Sequence, residues 1–249
     1  MTALEALAIL AAGIGAGTIN AVVGSGTLIT FPVLLAVGYP PVVANVSNTV
    51  GLVPGSITGS IGYRRELAGQ GRRAARLSIA SVLGGITGAL LLLELPASAF
   101  EAIVPAFIGI ALVLIVLQPW LSRRLARHRP EGHHGGPVAV AGTYGAGVYG
   151  GYFGAAQGIL LVSILGLVLP DDLQRLNALK NVLTGLVNLV AGLVFVVIAD
   201  IAWGAALLIA AGSLVGGALG SRYGRRLPPP VLRAVIVVVG VTAIAELLS

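Results

Sequence analysis

The 249-residue chain has no cysteine, and only 10% of its residues are charged. The first absence excludes a disulfide framework, thiol catalysis and thiolate metal sites. The second excludes an ordinary water-facing domain, in which roughly a quarter of residues carry charge. Lys and Arg are also missing from residues 1–12, which hold Glu5. A secretory leader begins with a cationic stretch, so this run is expected to be the first part of the mature fold. What fills the chain is 57% hydrophobic sequence with a mean hydropathy of +0.99. Its solvent is therefore expected to be the lipid bilayer. The formal charge of +6 raises nucleic acid as a partner. However, the basic residues form short clusters between apolar runs, so no nucleic acid is expected and the clusters orient the protein in a membrane.

The chain is written twice. Gly13, Gly15, Gly26, Asn45, Ser81, Gly84, Gly85, Gly88, Leu95 and Pro96 return 132 positions later as Gly145, Gly147, Gly158, Asn177, Ser213, Gly216, Gly217, Gly220, Leu227 and Pro228. An internal repeat on this scale in apolar sequence is the signature of a secondary transporter, whose halves rock around a shared site.

Apolar runs cover roughly 4–23, 28–37, 41–63, 77–95 and 99–117 in the first copy, and 138–156, 159–169, 173–199, 203–219 and 231–248 in the second. Crossing the hydrocarbon takes about 20 residues, so the two short runs are expected to be broken or half-length helices. The basic loop Arg64 to Arg76 corresponds to Ala199-Asp200-Ile201, which has no Lys or Arg. The next pair reverses this, with Glu94-Leu95-Pro96 set against Arg222-Tyr223-Gly224-Arg225-Arg226. Under the positive-inside rule, equivalent loops face opposite sides, so the repeat reads as inverted.

The expected fold is an all-α polytopic membrane protein with an inverted-topology repeat. Each half has five crossings or their equivalent, and both termini lie outside. The halves are 1–118 and 138–249, joined by a cytoplasmic linker, 119–137. Either the short segments cross, giving ten spans, or they pair with their predecessors as re-entrant hairpins, leaving six spans and two hairpins.

The glycine stripes Gly84-Gly85-x-x-Gly88 and Gly216-Gly217-x-x-Gly220 read as close helix packing. Gly13-x-Gly15-x-Gly17 lacks the strand context of a dinucleotide fingerprint. Ser25, Gly26 and Thr27, with Gln157 and Gly158, stand apart, because they lie at equivalent breaks between a long and a short apolar run. A helix start exposes unpaired N–H groups at a positive dipole end and favours an anion; a plain interfacial turn is the competing reading.

Polar side chains at membrane depth are costly, so those recurring in both copies are the leading site candidates. Asn45, Asn48 and Thr49 match Asn177, Lys180 and Asn181, and each set has the i, i+3, i+4 spacing of one helix face. Lys180 lies about five to seven residues into a helix that can start near Asp172. It either snorkels to headgroups or supplies charge to a small oxyanion flanked by amide donors. Asn20, Thr30 and Tyr152 are weaker candidates near the breaks, and Ser56 and Asn188 form an equivalent packing pair. His128, His133 and His134 sit in the polar linker without the spacing of a metal site, so neither metal nor cofactor is expected. Asp171 and Asp172 read as N-capping residues. No catalytic cluster is evident, and the chain is not expected to be an enzyme.

At these residues the chain resembles the TauE/SafE sulfite exporter family, also called the 4-toluene sulfonate uptake permease family. The resemblance rests on the run from Gly13 to Pro32, on Ala44-Asn45-Val46-Ser47-Asn48-Thr49, on Gly150 to Gly158, on Asn177-Ala178-Leu179-Lys180-Asn181, and on the glycine-rich fourth segments. It implies a permease of the bacterial cytoplasmic membrane that moves sulfur-containing anions such as sulfite or organosulfonates, often coupled to an ion. Gln157 stands where the family commonly has a small residue.

The functional expectation is alternating-access transport of a small anion. Lys180 supplies charge, Asn45, Asn48, Asn177 and Asn181 supply hydrogen bonds, and Ser25, Gly26, Thr27, Gln157 and Gly158 line the breaks. The coupling ion would be a proton or sodium. A passive anion channel and a structural membrane subunit are the alternatives.

Overall fold

A computed structural model describes residues 1–127 and 136–223, together with 237, 238 and 241. Nine helices lie within the continuous stretches: α1 (Ala3–Val22), α2 (Thr27–Ala36), α3 (Pro41–Gly62), α4 (Gly71–Glu94), α5 (Ala97–Arg127), α6 (Gly136–Tyr152), α7 (Gln157–Val168), α8 (Leu173–Ile198) and α9 (Trp203–Tyr223). No strand occurs among the described residues. The short apolar runs are the short helices α2 and α7, of 10 and 12 residues. All of the last apolar run, 231–248, except residues 237, 238 and 241, and the linker histidines lie outside the described residues.

Five helices are long and apolar enough to cross a membrane: α1, α4, α5 over Ala97–Leu121, α8 and α9. α3 is as long, at 22 residues, but Asn45, Ser47, Asn48, Thr49 and Ser56 interrupt its hydrophobic run. α5 continues to Arg127, so the helical part of the chain extends into the expected linker and only residues 128–135 lie between α5 and α6. Arg and Leu are good helix formers, and nothing in 120–127 breaks the turn pattern.

Helix bounds recur at the repeat interval: α3 starts at 41 and α8 at 173, and α4 starts at 71 and α9 at 203. The packing follows the same exchange. α1 lies along α9, as α6 lies along α4, and α3 lies along α9, as α8 lies along α4. Glycines make these approaches possible. A methyl group at Gly13 would stand 3.0 Å from the Ile209 backbone, and one at Gly84 would stand 3.0 Å from Gly147 Cα. α3 and α8 cross antiparallel, with Gly192 beside Val50 and Val53, and Gly185 beside Ser56. At the crossing, Asn188 Nδ2 donates to Ser56 Oγ at 3.3 Å, and these two residues are each other's repeat equivalents.

Both short helices fold back. Gly136 O, at the start of α6, accepts from Arg76 Nη2 at 3.1 Å, and Asp171, just past α7, pairs with Arg73. Both ends of the α6–α7 pair therefore lie at the arginine-rich start of α4. In the first copy, Met1 reaches Gly204, while Ser47 Oγ of α3 accepts from Ala202 N at 2.9 Å. The starts of α1, α3 and α9 thus share one end, and α1–α2 is also a hairpin. Of the two arrangements left open by the sequence, the hairpin arrangement matches these contacts.

Candidate functional site

The tips of the two hairpins meet. Gly158 N donates to Gly24 O at 3.0 Å, and a Cβ on Gly24 would lie 2.5 Å from Gly158 Cα. Two chain breaks can approach this closely only with glycine on each side. Gly24 has φ +85°, and its repeat equivalent Ala156 has φ +59°, the one positive φ outside glycine among the described residues. A left-handed Ala costs roughly 1–2 kcal/mol, so the turn at this position is imposed by its surroundings.

Lys180 passes between the tips. Its side chain is fully buried, and Cβ atoms built on Gly24 and Gly158 would lie 3.1 and 2.7 Å from its Cδ. The ammonium donates to Asn20 O at 2.8 Å and Ala21 O at 3.4 Å. Asn177 and Asn181 donate to the same Ala21 carbonyl at 3.2 and 3.1 Å. These are the last carbonyls of α1, which lack intrahelical partners and carry the negative end of the helix dipole. Asp172 caps α8 by accepting from Gln174 N and Arg175 N, and so sets the register that points this triad at α1.

The other copy is built differently. Asn45 Nδ2 donates to Tyr152 O, the last residue of α6, at 2.8 Å. Asn48, the counterpart of Lys180, has both amide atoms engaged: its Nδ2 donates to Thr27 Oγ1 at 3.2 Å and its Oδ1 accepts from Thr30 Oγ1. Asn48 therefore ties α2 to α3, whereas Lys180 ties α8 to α1.

The breaks also differ in their donors. In the second, Gln157 N, Gly158 N and Ile159 N all find carbonyl acceptors, so Gly158 offers no free N–H. In the first, the amides of Ser25, Gly26 and Thr27 have no acceptor among the described residues. Ser25 Oγ and Gln157 Nε2, both buried, have no partner either. Five donors thus stand without acceptors in the two breaks whose contact Lys180 threads. The buried Asn45 Oδ1 and Tyr152 OH are likewise unpartnered. Thr49 Oγ1 bonds back to Asn45 O within α3. The Asn20 side chain makes no hydrogen bond among the described residues; its carbonyl is what the site uses.

A cavity of about 190 Å³ lies beside the junction, where Val23 and Ile159 next to the hairpin tips line it. Val22, Val23 and Ile159 line its inner part beside Asn177, and Ser163, Gln118 and Gln174 line its outer part. Gln174 is exposed, next to Arg175 and three positions after Asp171, so the cavity mouth is at the arginine-rich end.

That end is held by a cluster whose pairing sequence reading missed. Asp171 pairs with Arg73 and, at 2.8 Å, with Arg175 Nε. Gln70 Nε2 donates to Arg175 O at 3.1 Å. Burial pushes the Asp171 carboxyl up, but hydrogen bonds from Arg175 and Arg73 and their charges outweigh it and hold the group below its ordinary value. Only Asp172 is the cap. The signal available in sequence was the neighbouring carboxylate pair facing an Arg-rich loop, but the partner lies 98 positions away. No group of three His, Cys, Asp or Glu residues able to hold a metal occurs among the described residues.

The profile for the sulfite exporter TauE/SafE family matches residues 9–247. The chain belongs to this family. Curated proteins similar to it include the probable membrane transporter protein YfcA of Escherichia coli, 26% identical over 94% of this chain and 86% of that protein. A probable membrane transporter protein of Haemophilus influenzae is 26% identical over 98% of this chain and 95% of its own length. The probable membrane transporter protein ORF9 of a Sinorhizobium species is 27% identical, over 94% and 88%. No solved structure matches the chain. With its long apolar helices, this TauE/SafE member is a multi-pass membrane protein of the transporter class.

Proposed function

We propose that the chain is a secondary transporter of small anions, sulfur-containing species such as sulfite or organosulfonates, working by alternating access in the bacterial cytoplasmic membrane. The observation that carries this reading is the junction of the hairpin tips. Three backbone N–H groups, a hydroxyl and an amide lack acceptors there, next to a buried ammonium. A metal cation finds no such match, whereas an oxyanion satisfies donors of this kind at a helix start. Lys180 supplies the field and Asn177 and Asn181 hold its anchor; Ser25, Gly26, Thr27 and Gln157 contact the anion. Asn45 and Asn48 of the first half and Gly158 of the second shape the junction.

In this reading the halves, 1–118 and 138–249, are inserted in opposite senses, and the linker between them is cytoplasmic. The antiparallel crossing of α3 and α8 and the exchange of helix partners support the inversion, and the arginine-rich loop supports the side. Coupling would be to a proton or sodium.

Uptake into proteoliposomes of a panel of labelled sulfite, sulfonates, sulfate and chloride, with and without imposed proton or sodium gradients, tests the proposal. Saturable flux of a sulfur oxyanion that an opposite pool of the same anion accelerates is the expected result. Flux without such trans-stimulation would identify a passive channel. No flux of any anion would remove the reading.

A further inference from the structure

Repeat equivalence allows each wall of the cavity to be compared with its counterpart in the other half. Val23, Ser163, Gln174 and Asn177 correspond to Ala155, Phe31, Val42 and Asn45 under the 132-residue shift. On the cavity side the wall is small or polar and grades from buried Asn177 to exposed Gln174. On the other side three of the four positions are closed off, Ala155 and Phe31 at 0% and 1% exposed and Asn45 at 1%, and only Val42 is half-buried.

Aromatic rings make the seal. Phe31 packs edge-on against Phe153 at 5.2 Å and against Phe100 at 6.5 Å, and Phe100 meets Tyr152 at 5.7 Å. Phe107 closes the group against Phe153 at 6.1 Å and Tyr149 at 5.4 Å. Four of the five phenylalanines in the chain are in this one cluster. The equivalents of Phe31, Tyr149, Tyr152 and Phe153 are Ser163, Gly17, Asn20 and Ala21, so the second half of the pathway has no such group. The rings come from α2, α5, α6 and the α6–α7 tip, which are the elements a rocking motion would separate. Edge-on ring pairs of this kind are individually weak, as a seal that opens requires.

We propose that the aromatic cluster of Phe31, Phe100, Phe107 and Phe153 is the closed gate of the permeation path, and that the 190 Å³ cavity is its open half. The protein rests open toward the arginine-rich end. A water needs only about 10–15 Å³ of such volume, so the cavity admits a hydrated anion. Its polar wall of Gln118, Ser163, Gln174 and Asn177 offers amides and hydroxyls without a carboxylate. The one carboxylate of the cluster at its mouth, Asp171, is neutralised by Arg73 and Arg175. The gate faces the other side of the membrane. This inference rests on the alternating-access reading and not on which anion is carried.

The absence of cysteine makes the test direct. Ser163→Cys and Ala155→Cys are introduced separately into the full chain, and reaction with a membrane-impermeant maleimide is followed in vesicles of both orientations without substrate. Ser163→Cys is expected to react from one face only, at least about tenfold faster than Ala155→Cys from either face, because a minor alternate state is populated at 0.1–10%. Adding Phe100→Ala to Ala155→Cys is expected to raise its labelling from the opposite face by a similar factor. Equal labelling of the two single variants, or protection of Ser163→Cys from both faces, overturns the gate. Because labelling needs no transported ion, this result is independent of the flux panel. If sulfur oxyanions move but Ala155→Cys labels freely, only the gate assignment falls.

Discussion

Lys180 owes its place to its length and its charge. The stem fills the slot between Gly24 and Gly158, and the ammonium caps the carbonyls of Asn20 and Ala21. Lys180→Met keeps the stem and removes the charge. The field at the junction goes with the charge, so anion flux per folded protein in proteoliposomes is expected to fall by at least about tenfold, and because Asn20 O also loses a charged donor worth about 1.5–3 kcal/mol, the thermal midpoint in detergent is expected to fall as well. Unchanged flux would take Lys180 out of the site. Ala156 offers the converse experiment. Its left-handed backbone is the conformation that its counterpart Gly24 adopts without strain, and Ala156→Gly is expected to raise stability by up to about 1 kcal/mol, read as a higher melting temperature. Asn177, Lys180 and Asn181 were legible in sequence as one face pointing at one place, because helix spacing alone fixes that. That their target is the end of α1 was not legible, since i, i+3, i+4 spacing says which residues share a face and nothing about what the face meets. Likewise Asn45 and Asn48 share a face, yet one serves α6 and the other serves α2.

At the level of helices, length and apolar runs located nearly every described element, and the break residues Gly24 to Thr27 and Ala156 to Ile159 marked the short ones. Whether α1–α2 and α6–α7 cross or fold back was not legible, because hydropathy measures burial in lipid or protein without distinguishing them. Pairings distant in sequence decide it, Arg73 with Asp171 above all. That ion pair gives a pH prediction. The Asp171 carboxyl is held low when folded, so its stabilisation is complete above the ordinary Asp value of about 3.9 and disappears as pH falls through the lower folded value. Asp171→Asn is expected to lower the melting temperature at pH 6 by an amount equivalent to about 1 kcal/mol or less, as for a partly exposed network. The difference from the unaltered chain should close as pH drops below about 4. A gap that did not narrow at all as pH fell below about 4 would mean that the Asn disrupts packing and not charge.

At the level of the molecule, the 132-residue repeat announced two like halves, and the comparison of their walls then showed where they differ. Serine against phenylalanine at 163 and 31, and lysine against asparagine at 180 and 48, make one side of the path open and cationic and the other aromatic and neutral. The proposed opposite insertion of the halves predicts that single cysteines at positions 94 and 200 label from the same, outer face, and one at position 65 from the other. The central claim is that the donors at the hairpin junction bind a small sulfur oxyanion that the protein carries across the membrane. Counterflow of labelled sulfite or a short organosulfonate into proteoliposomes, measured for the unaltered chain beside Lys180→Met, addresses it most directly. The account predicts saturable, trans-stimulated uptake by the unaltered chain and at least about tenfold less by the variant. Absence of uptake, or equal uptake by both, would contradict it.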